Sequence, residues 1–279
     1  MSHEVHSVHS MIQVPATLSL ALAACVYVRG WFLIRQSRLV DASIWQLAVF
    51  MLGLLSLWIA IGSPLTAYQH ELLSIHMVQH VLLMAVAPPL LLLGAPALPL
   101  LYGLPLRSAQ HAFQQALHPP RTQSLRVLAH PTVCWLAPVV ALIGWHVPAG
   151  FELGMRSHGW HDFQMASFFV TGVLFWAPVV HWQSRFAMAQ PWLMPLYLFA
   201  ATLPCDALSA FLVFCNRVVY PSYLSAPRLL GVSALHDQQC AGALMWVSVT
   251  LIYLVPAAAI TVQLLSPPRT YPSALQARV

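Results

Sequence analysis

Three histidines within eleven residues are the strongest chemical feature of the sequence. They are His70, His76 and His80, at the start of an apolar segment that runs to Pro88–Pro89. Because one helical turn takes 3.6 residues, His76 and His80 share a helix face, about 6 Å apart along the axis. Such a pair can hold a metal ion, or one ring can reach a partner on another helix. The alternative is two histidines hydrogen-bonded inside a packed bundle, but histidine at membrane depth commonly marks a pathway or a site.

Further candidate ligands lie near the ends of other apolar segments. Met165 follows His161 by four residues and therefore shares its helical face. Imidazole and thioether groups suit copper, whereas carboxylates would dominate a magnesium or calcium site. Zinc remains open, because neutral imidazole serves it equally well. The predicted metal ligands are His70, His76, His80, His146, His161, Met165, His236 and Asp237.

The composition excludes several classes of protein. With 59% hydrophobic and 7% charged residues, and a mean hydropathy of +0.72, the chain has too little polar surface for a soluble globule. All twelve basic residues are arginine, so lysine Schiff-base chemistry is excluded. A pI near 9.2 requires no nucleic-acid partner, because the arginines stand in short loops. No catalytic motif is present: His70–Glu71 lacks the second histidine of a zincin, and we predict that the protein is not an enzyme.

Runs of about 20 apolar residues predict an all-α, polytopic membrane protein with seven transmembrane helices. We place the spans at Val14–Ile34, Ile44–Gly62, Tyr68–Leu93, Val127–Val147, His161–Val180, Trp192–Cys215 and Asp237–Ile260. Residues 1–12 form a polar histidine-containing tail without the basic region of a signal peptide, so the first span is expected to be retained. One transmembrane domain, 13–265, then includes an interfacial connector at 95–126, and 266–279 form a second tail. Asp206 lies within an apolar run and is expected to pair with an imidazole or an arginine.

The distribution of arginine predicts the orientation. With the N-terminus outside and the C-terminus cytoplasmic, nine arginines fall on the cytoplasmic side and three outside. The nine are Arg29, Arg35, Arg38, Arg107, Arg121, Arg126, Arg185, Arg269 and Arg278, and the three are Arg156, Arg217 and Arg228. Spans three, five and seven then begin outside, where spans four and six end. This topology brings the candidate ligands together at the outer rim.

A series of motifs resembles the caa3-type CtaG family. The series comprises His76-Met-Val-Gln-His80, Ala87-Pro-Pro-Leu-Leu, Gly94-Ala-Pro, Trp145-His-Val-Pro, Thr171-Gly-Val-Leu-Phe-Trp-Ala-Pro, Tyr220-Pro-Ser-Tyr and Asp237-Gln-Gln-Cys-Ala-Gly-Ala-Leu-Met-Trp. The resemblance implies a multi-pass protein of the bacterial plasma membrane that takes part in assembly of cytochrome c oxidase. Its partners would be oxidase subunits or other assembly factors. Many relatives carry an acid and a histidine where this chain has Gln164 and Met165, a departure that favours Cu(I).

Three functions follow as hypotheses from these residues. The first is an assembly factor that binds or delivers copper at the outer face. The second is a membrane electron-transfer protein with bis-histidine haem, for which His130 and His181 form a further candidate pair. The third is a copper permease that uses the same ligands as a transport path.

Overall fold

The computed structural model describes residues 2–37, 43–105, 130–182, 190–227 and 231–266, and these residues contain helices and no strand. The α-helices are α1 (Ser2–Ser37), α2 (Ile44–Ile61), α3 (Leu73–Val81), α4 (Ala87–Leu93), α5 (Ala97–Gly103), α6 (Pro131–His146), α7 (Pro148–Arg156), α8 (His158–Val180), α9 (Leu193–Phe214) and α10 (Ala234–Leu265). A π-helical turn, Leu82–Val86, joins α3 to α4. Short 3₁₀ helices lie at Pro64–Tyr68 and Pro221–Tyr223.

Six helical segments are long and apolar enough to cross a membrane. They are Val14–Ser37, Ile44–Tyr68, Leu73–Leu93, His158–Val180, Leu193–Phe214 and Ala234–Leu265. A seventh span is formed if α6 and α7, which are bent by 79° relative to each other, count as one. Large apolar side chains such as Phe211, Val247 and Leu251 are more than half exposed, which is the surface expected against lipid. The predicted all-α membrane architecture is therefore confirmed, with six spans or seven.

Several element bounds differ from the predicted ones. Helix α1 begins at Ser2, so the residues expected to form a polar tail are helical. The third span begins at Leu73 rather than Tyr68, because the 3₁₀ helix Pro64–Tyr68 precedes it. Helix α7 was not predicted from the sequence; its first residue is Pro148, and proline is favourable at the first position of a helix.

Helix α5 forms the start of the expected connector and packs directly against α1. A Cβ atom on Gly30 would overlap the carbonyl of Pro99, so this close approach requires glycine. Arg29 also donates a hydrogen bond to the carbonyl of Gly103 at 3.2 Å. The rest of the connector, 106–126, and the tail at 267–279 lie outside the described residues.

Hydrogen bonds tie three parts of the chain together at one end of the bundle, here called the histidine end. The Tyr220 hydroxyl donates to the carbonyl of His146 at 3.0 Å, so the end of α6 meets the α9–α10 loop. The Tyr223 hydroxyl donates to the carbonyl of Gln69 at 2.7 Å, just before α3. The predicted convergence of these helix ends is confirmed. Which side of the membrane this end faces stays a prediction.

The segment after the histidines is shaped by Pro88, whose nitrogen has no hydrogen to donate to the carbonyl of Met84 four residues earlier. The Trp176 indole of α8 donates to that carbonyl instead, at 3.2 Å. A Cβ on Gly172 would stand 2.7 Å from the same oxygen, so glycine lets α8 approach closely. Two of the separate sequence motifs therefore meet at one carbonyl, one turn beyond His80.

The expected pairing of Asp206 with an imidazole or an arginine is not what the structure shows. Its carboxylate accepts a hydrogen bond from the Thr250 hydroxyl of α10 at 3.1 Å. The described partner is thus a hydroxyl group, not an imidazole or an arginine. A short hydroxyl on the packed neighbouring helix reaches the acid without bringing a second charge into the membrane.

Candidate metal centre

Four histidines from three helices form a buried cluster at the histidine end. The ring centroids of His76 and His80 are 4.3 Å apart, those of His80 and His146 are 5.3 Å apart, and those of His76 and His161 are 5.6 Å apart. Each of the four side chains is 8% exposed or less. The helical spacing of His76 and His80 therefore correctly predicted that their rings are close together. The helix topology brings His146 and His161 to the same place.

His76 and His80 stand out because neither ring nitrogen of either residue has a hydrogen-bond partner among the described residues. Leaving a buried polar atom without a partner costs about 1–3 kcal/mol, and native proteins seldom do so without reason. Neutral imidazole nitrogens are also the commonest protein ligands for transition metals. The pair therefore fits a bound metal ion or ordered water, and no described side chain or backbone group satisfies it.

Aromatic rings enclose the cluster. Phe168 of α8 lies 4.4 Å from His80, and Phe151 of α7 lies 5.1 Å from His76, between ring centroids. Phe151 also stacks on Tyr220 at 3.9 Å. Glu152 fixes α7 in place, because its carboxylate accepts hydrogen bonds from the hydroxyl of Ser222 at 2.6 Å and from its backbone N–H at 3.3 Å. Helix α7 thus folds over the histidines and shields them from water.

His146 is oriented by its own helix. Its Nδ1 lies 2.7 Å from the carbonyl oxygen of Leu142, which can only accept, so Nδ1 carries a hydrogen. Its Nε2 lies 3.3 Å from the Sδ atom of Met77 on α3. Sequence reasoning missed Met77. Its position between His76 and His80 could have drawn attention, but the contact with His146 depends on how α3 and α6 pack.

His161 and Met165 line a cavity beside the cluster. It has a volume of about 390 Å³ and lies between α2, α3 and α8. Gln79 also lines it; its amide nitrogen donates to the carbonyl of Ala60 at 2.9 Å, and its Oε1 has no described partner. Gln164 is 1% exposed, and both of its amide atoms lack a partner in the described structure. Two buried amide side chains near the cluster, those of Gln79 and Gln164, therefore have atoms without a described hydrogen-bond partner.

The remaining predicted ligands lie apart from the core of the cluster. His70 is half-buried, with its ring 5.9 Å from that of His161 and its Nε2 3.3 Å from the amide nitrogen of Gln69. His236 is exposed, and its Nε2 lies 3.8 Å from the sulfur of Cys240. The structure brings His70 to the edge of the site and leaves His236 on the surface.

Asp237 makes hydrogen bonds that the sequence did not predict. One carboxylate oxygen accepts the backbone N–H of Leu73 at 2.6 Å, and the other accepts the hydroxyl of Ser74 at 2.6 Å. These contacts cap the N-terminus of α3, whose own N-cap residue, Leu72, has no capping side chain. The next residue, Gln238, accepts the N–H of Val219 at 2.7 Å and holds the preceding loop. The acidic motif at the start of α10 therefore positions the histidine helix.

In the described part of the chain, no three side chains among His, Cys, Asp and Glu are placed so that they could share a metal ion as they stand. The donors closest to one another are imidazole pairs and the imidazole–thioether pair of His146 and Met77.

The fold and the site together define a polytopic helical membrane protein with a buried histidine cluster at one end of its bundle. The family model for the cytochrome c oxidase caa3 assembly factor (Caa3_CtaG) matches residues 25–266, and the chain belongs to this family.

Two curated relatives share part of the sequence. They are uncharacterized protein Mb0105 of Mycobacterium bovis and uncharacterized protein MT0111 of Mycobacterium tuberculosis, each 27% identical over 141 residues. The match covers 48% of this chain and 21% of each relative, so the chain matches about a fifth of their length. No solved structure matches the sequence significantly.

Proposed function

We propose that this assembly factor binds copper at the histidine cluster and delivers it to a cytochrome c oxidase. The observation that carries the proposal is the buried pair His76 and His80, whose four ring nitrogens have no described hydrogen-bond partner. Family membership indicates the recipient of the copper. A copper site in an oxidase assembly factor would supply the copper-containing subunits of the oxidase. The proposed location is the bacterial plasma membrane, with the histidine end outside.

The donor set supports copper over the other candidate metals. His76, His80, His146 and His161 provide nitrogen, and Met165 lines the adjoining cavity with a thioether sulfur. Soft donors of this kind select Cu(I), and a site without carboxylates is a poor one for magnesium or calcium. Asp237, the buried acid of this region, is engaged with the backbone of α3.

The proposal is tested by complementation of a deletion strain. Loss of the gene should lower oxidase activity and the absorbance of the assembled haem-copper centre, and added copper should restore part of both. Wild-type protein should restore both fully, whereas His76→Ala and His80→Ala should not, although each variant reaches the membrane in normal amounts. His181→Ala is the matched control, because His181 is exposed and contacts the carbonyl of Ala177 on its own helix. Full complementation by both cluster variants would overturn the proposal.

The two other hypotheses are separated by measurements on the purified protein. A Soret band would identify a haem protein, and copper flux into liposomes would identify a permease. Of the further haem candidates, His130 is exposed and its Nδ1 accepts the N–H of Thr132, while His181 is exposed just after the end of α8. Both side chains have local contacts, which favours the buried cluster as the functional site.

A further inference from the structure

We infer that Met77 and His146 form the Cu(I)-binding pair of the site, with the thioether Sδ and the imidazole Nε2 as the two ligand atoms. The inference rests on the proposed copper function and adds a ligand that the sequence did not indicate. Its starting point is the 3.3 Å distance between these two atoms, which belong to different helices, α3 and α6.

The hydrogen positions of this contact can be assigned. Because Nδ1 of His146 donates to the carbonyl oxygen of Leu142 at 2.7 Å, the neutral ring has no hydrogen at Nε2. The thioether sulfur of Met77 has none either. Two lone pairs therefore face each other across 3.3 Å, and neither atom can donate to the other. A cation that binds both nitrogen and sulfur would make this contact favourable.

A proton on Nε2 is the competing explanation, and the surroundings disfavour it. His146 is 3% exposed and Met77 is fully buried, so a charged imidazolium here would be desolvated. The described structure gives the His146 side chain contacts to Leu142 and Met77 but none to a carboxylate. At the same end, Asp237 caps α3 and Glu152 accepts from Ser222. Among the residues that the structure describes, no acid is left beside His146 to balance such a charge.

A soft metal ion fits the two ligand atoms, Sδ of Met77 and Nε2 of His146, and it also fits their surroundings. Thioether sulfur selects Cu(I) among the ions that imidazole also binds. The Nδ1–H bond to a backbone carbonyl is the outer contact that commonly orients a metal-binding histidine. His80, 5.3 Å from His146 between ring centroids, stands where its ring could receive the ion next. The Met77–His146 pair and the His76–His80 pair therefore adjoin each other within one buried site.

The experiment compares Met77→Leu with Met84→Leu in the full-length protein purified in detergent. Both methionines are at least 95% buried on the same helical segment, and leucine nearly matches methionine in volume, so packing changes are similar. Each variant is loaded with Cu(I), titrated against a Cu(I) chelator, and measured by X-ray absorption at the copper edge. Zn(II) titration and thermal unfolding of the metal-free protein control for ligand selectivity and folding.

Met77→Leu should weaken Cu(I) binding about 10- to 100-fold and reduce the sulfur scattering around copper, while Zn(II) binding changes little. Met84→Leu should match the wild type in all measurements. Unchanged Cu(I) affinity and sulfur scattering in Met77→Leu, with copper lost in His76→Ala, would overturn this inference and leave the proposed function standing. If the wild-type protein binds no Cu(I), the proposed function fails and the inference falls with it.

Discussion

The carboxylate of Asp237 accepts the backbone N–H of Leu73 at 2.6 Å, across 164 residues of sequence. Leu73 is the first residue of α3, and His76 follows it by one turn. Since the first N–H groups of a helix have no partner within it, a carboxylate from another helix both satisfies them and complements the helix dipole. The start of α10 therefore fixes where the histidine-bearing turn of α3 begins.

The first prediction concerns this cap. Asp237→Asn should lower the stability of the metal-free protein by about 1–2 kcal/mol, because an amide cannot accept all the hydrogen bonds that the carboxylate accepts. Thermal unfolding in detergent measures the effect. Asp162→Asn is the control, since it removes the same charge from an exposed position on α8. A metal-free Asp237→Asn protein as stable as the wild type, with weaker copper binding, would instead identify Asp237 as a ligand.

The cap also illustrates how much of the site the sequence could predict. The four-residue spacing of His76 and His80 and the alternation of the spans were enough to predict that His146 and His161 approach them. The role of Asp237 could not be predicted, because an acid at a helix N-terminus is expected to serve its own helix. Met77 was missed for a similar reason, since its contact with His146 depends on the rotation of two helices about their axes. The periodicity of a sequence predicts which residues share a helix face, but it does not predict which side chain of another helix that face will contact.

The second prediction concerns His80, whose buried ring nitrogens have no described hydrogen-bond partner. His80→Leu should leave the metal-free protein as stable as the wild type or more stable by about 1 kcal/mol, because the substitution removes a buried polar group that has no described partner. The same variant should lose the rise in unfolding temperature that Cu(I) gives the wild type. Differential scanning fluorimetry with and without Cu(I) measures both effects. Exposed His181→Leu should keep the copper-dependent rise, and a strongly destabilised metal-free His80→Leu would indicate a structural role for the ring.

The third prediction concerns the carbonyl that Pro88 leaves without its helical partner. Trp176→Phe should destabilise the protein by about 1–3 kcal/mol, because the Met84 carbonyl then loses its donor at a buried position. Trp192→Phe, at a position that is 61% exposed, makes the same chemical change and should have little effect. Unfolding temperatures of the two variants in the same detergent provide the comparison. Equal stability of the two would show that the indole hydrogen bond contributes nothing.

The fourth prediction is the membrane orientation. The nine-to-three division of the arginines places the histidine end outside. Arg156 ends α7, which folds over that end, so a reporter fused there should read as external. Fusions at Arg121 and at the C-terminus should read as cytoplasmic. A cytoplasmic signal from Arg156 would place the histidine cluster on the inner side and would exclude delivery of copper to the outer face.

The last prediction concerns Met165, the second methionine proposed as a copper ligand. Met165 is 7% exposed and lines the cavity of about 390 Å³ together with His161. A thioether accepts only weak hydrogen bonds, so it adds little to a polar, water-filled cavity, but as a soft ligand it selects Cu(I) over zinc. Met165→Leu should therefore keep the fold and weaken Cu(I) binding more than Zn(II) binding, whereas Met165→His should retain metal and shift the preference toward Zn(II) or Cu(II). Competition titrations with a Cu(I) chelator and a Zn(II) chelator measure both ratios. Equal Cu(I) affinity in the wild type and Met165→Leu would assign this methionine to helix packing alone.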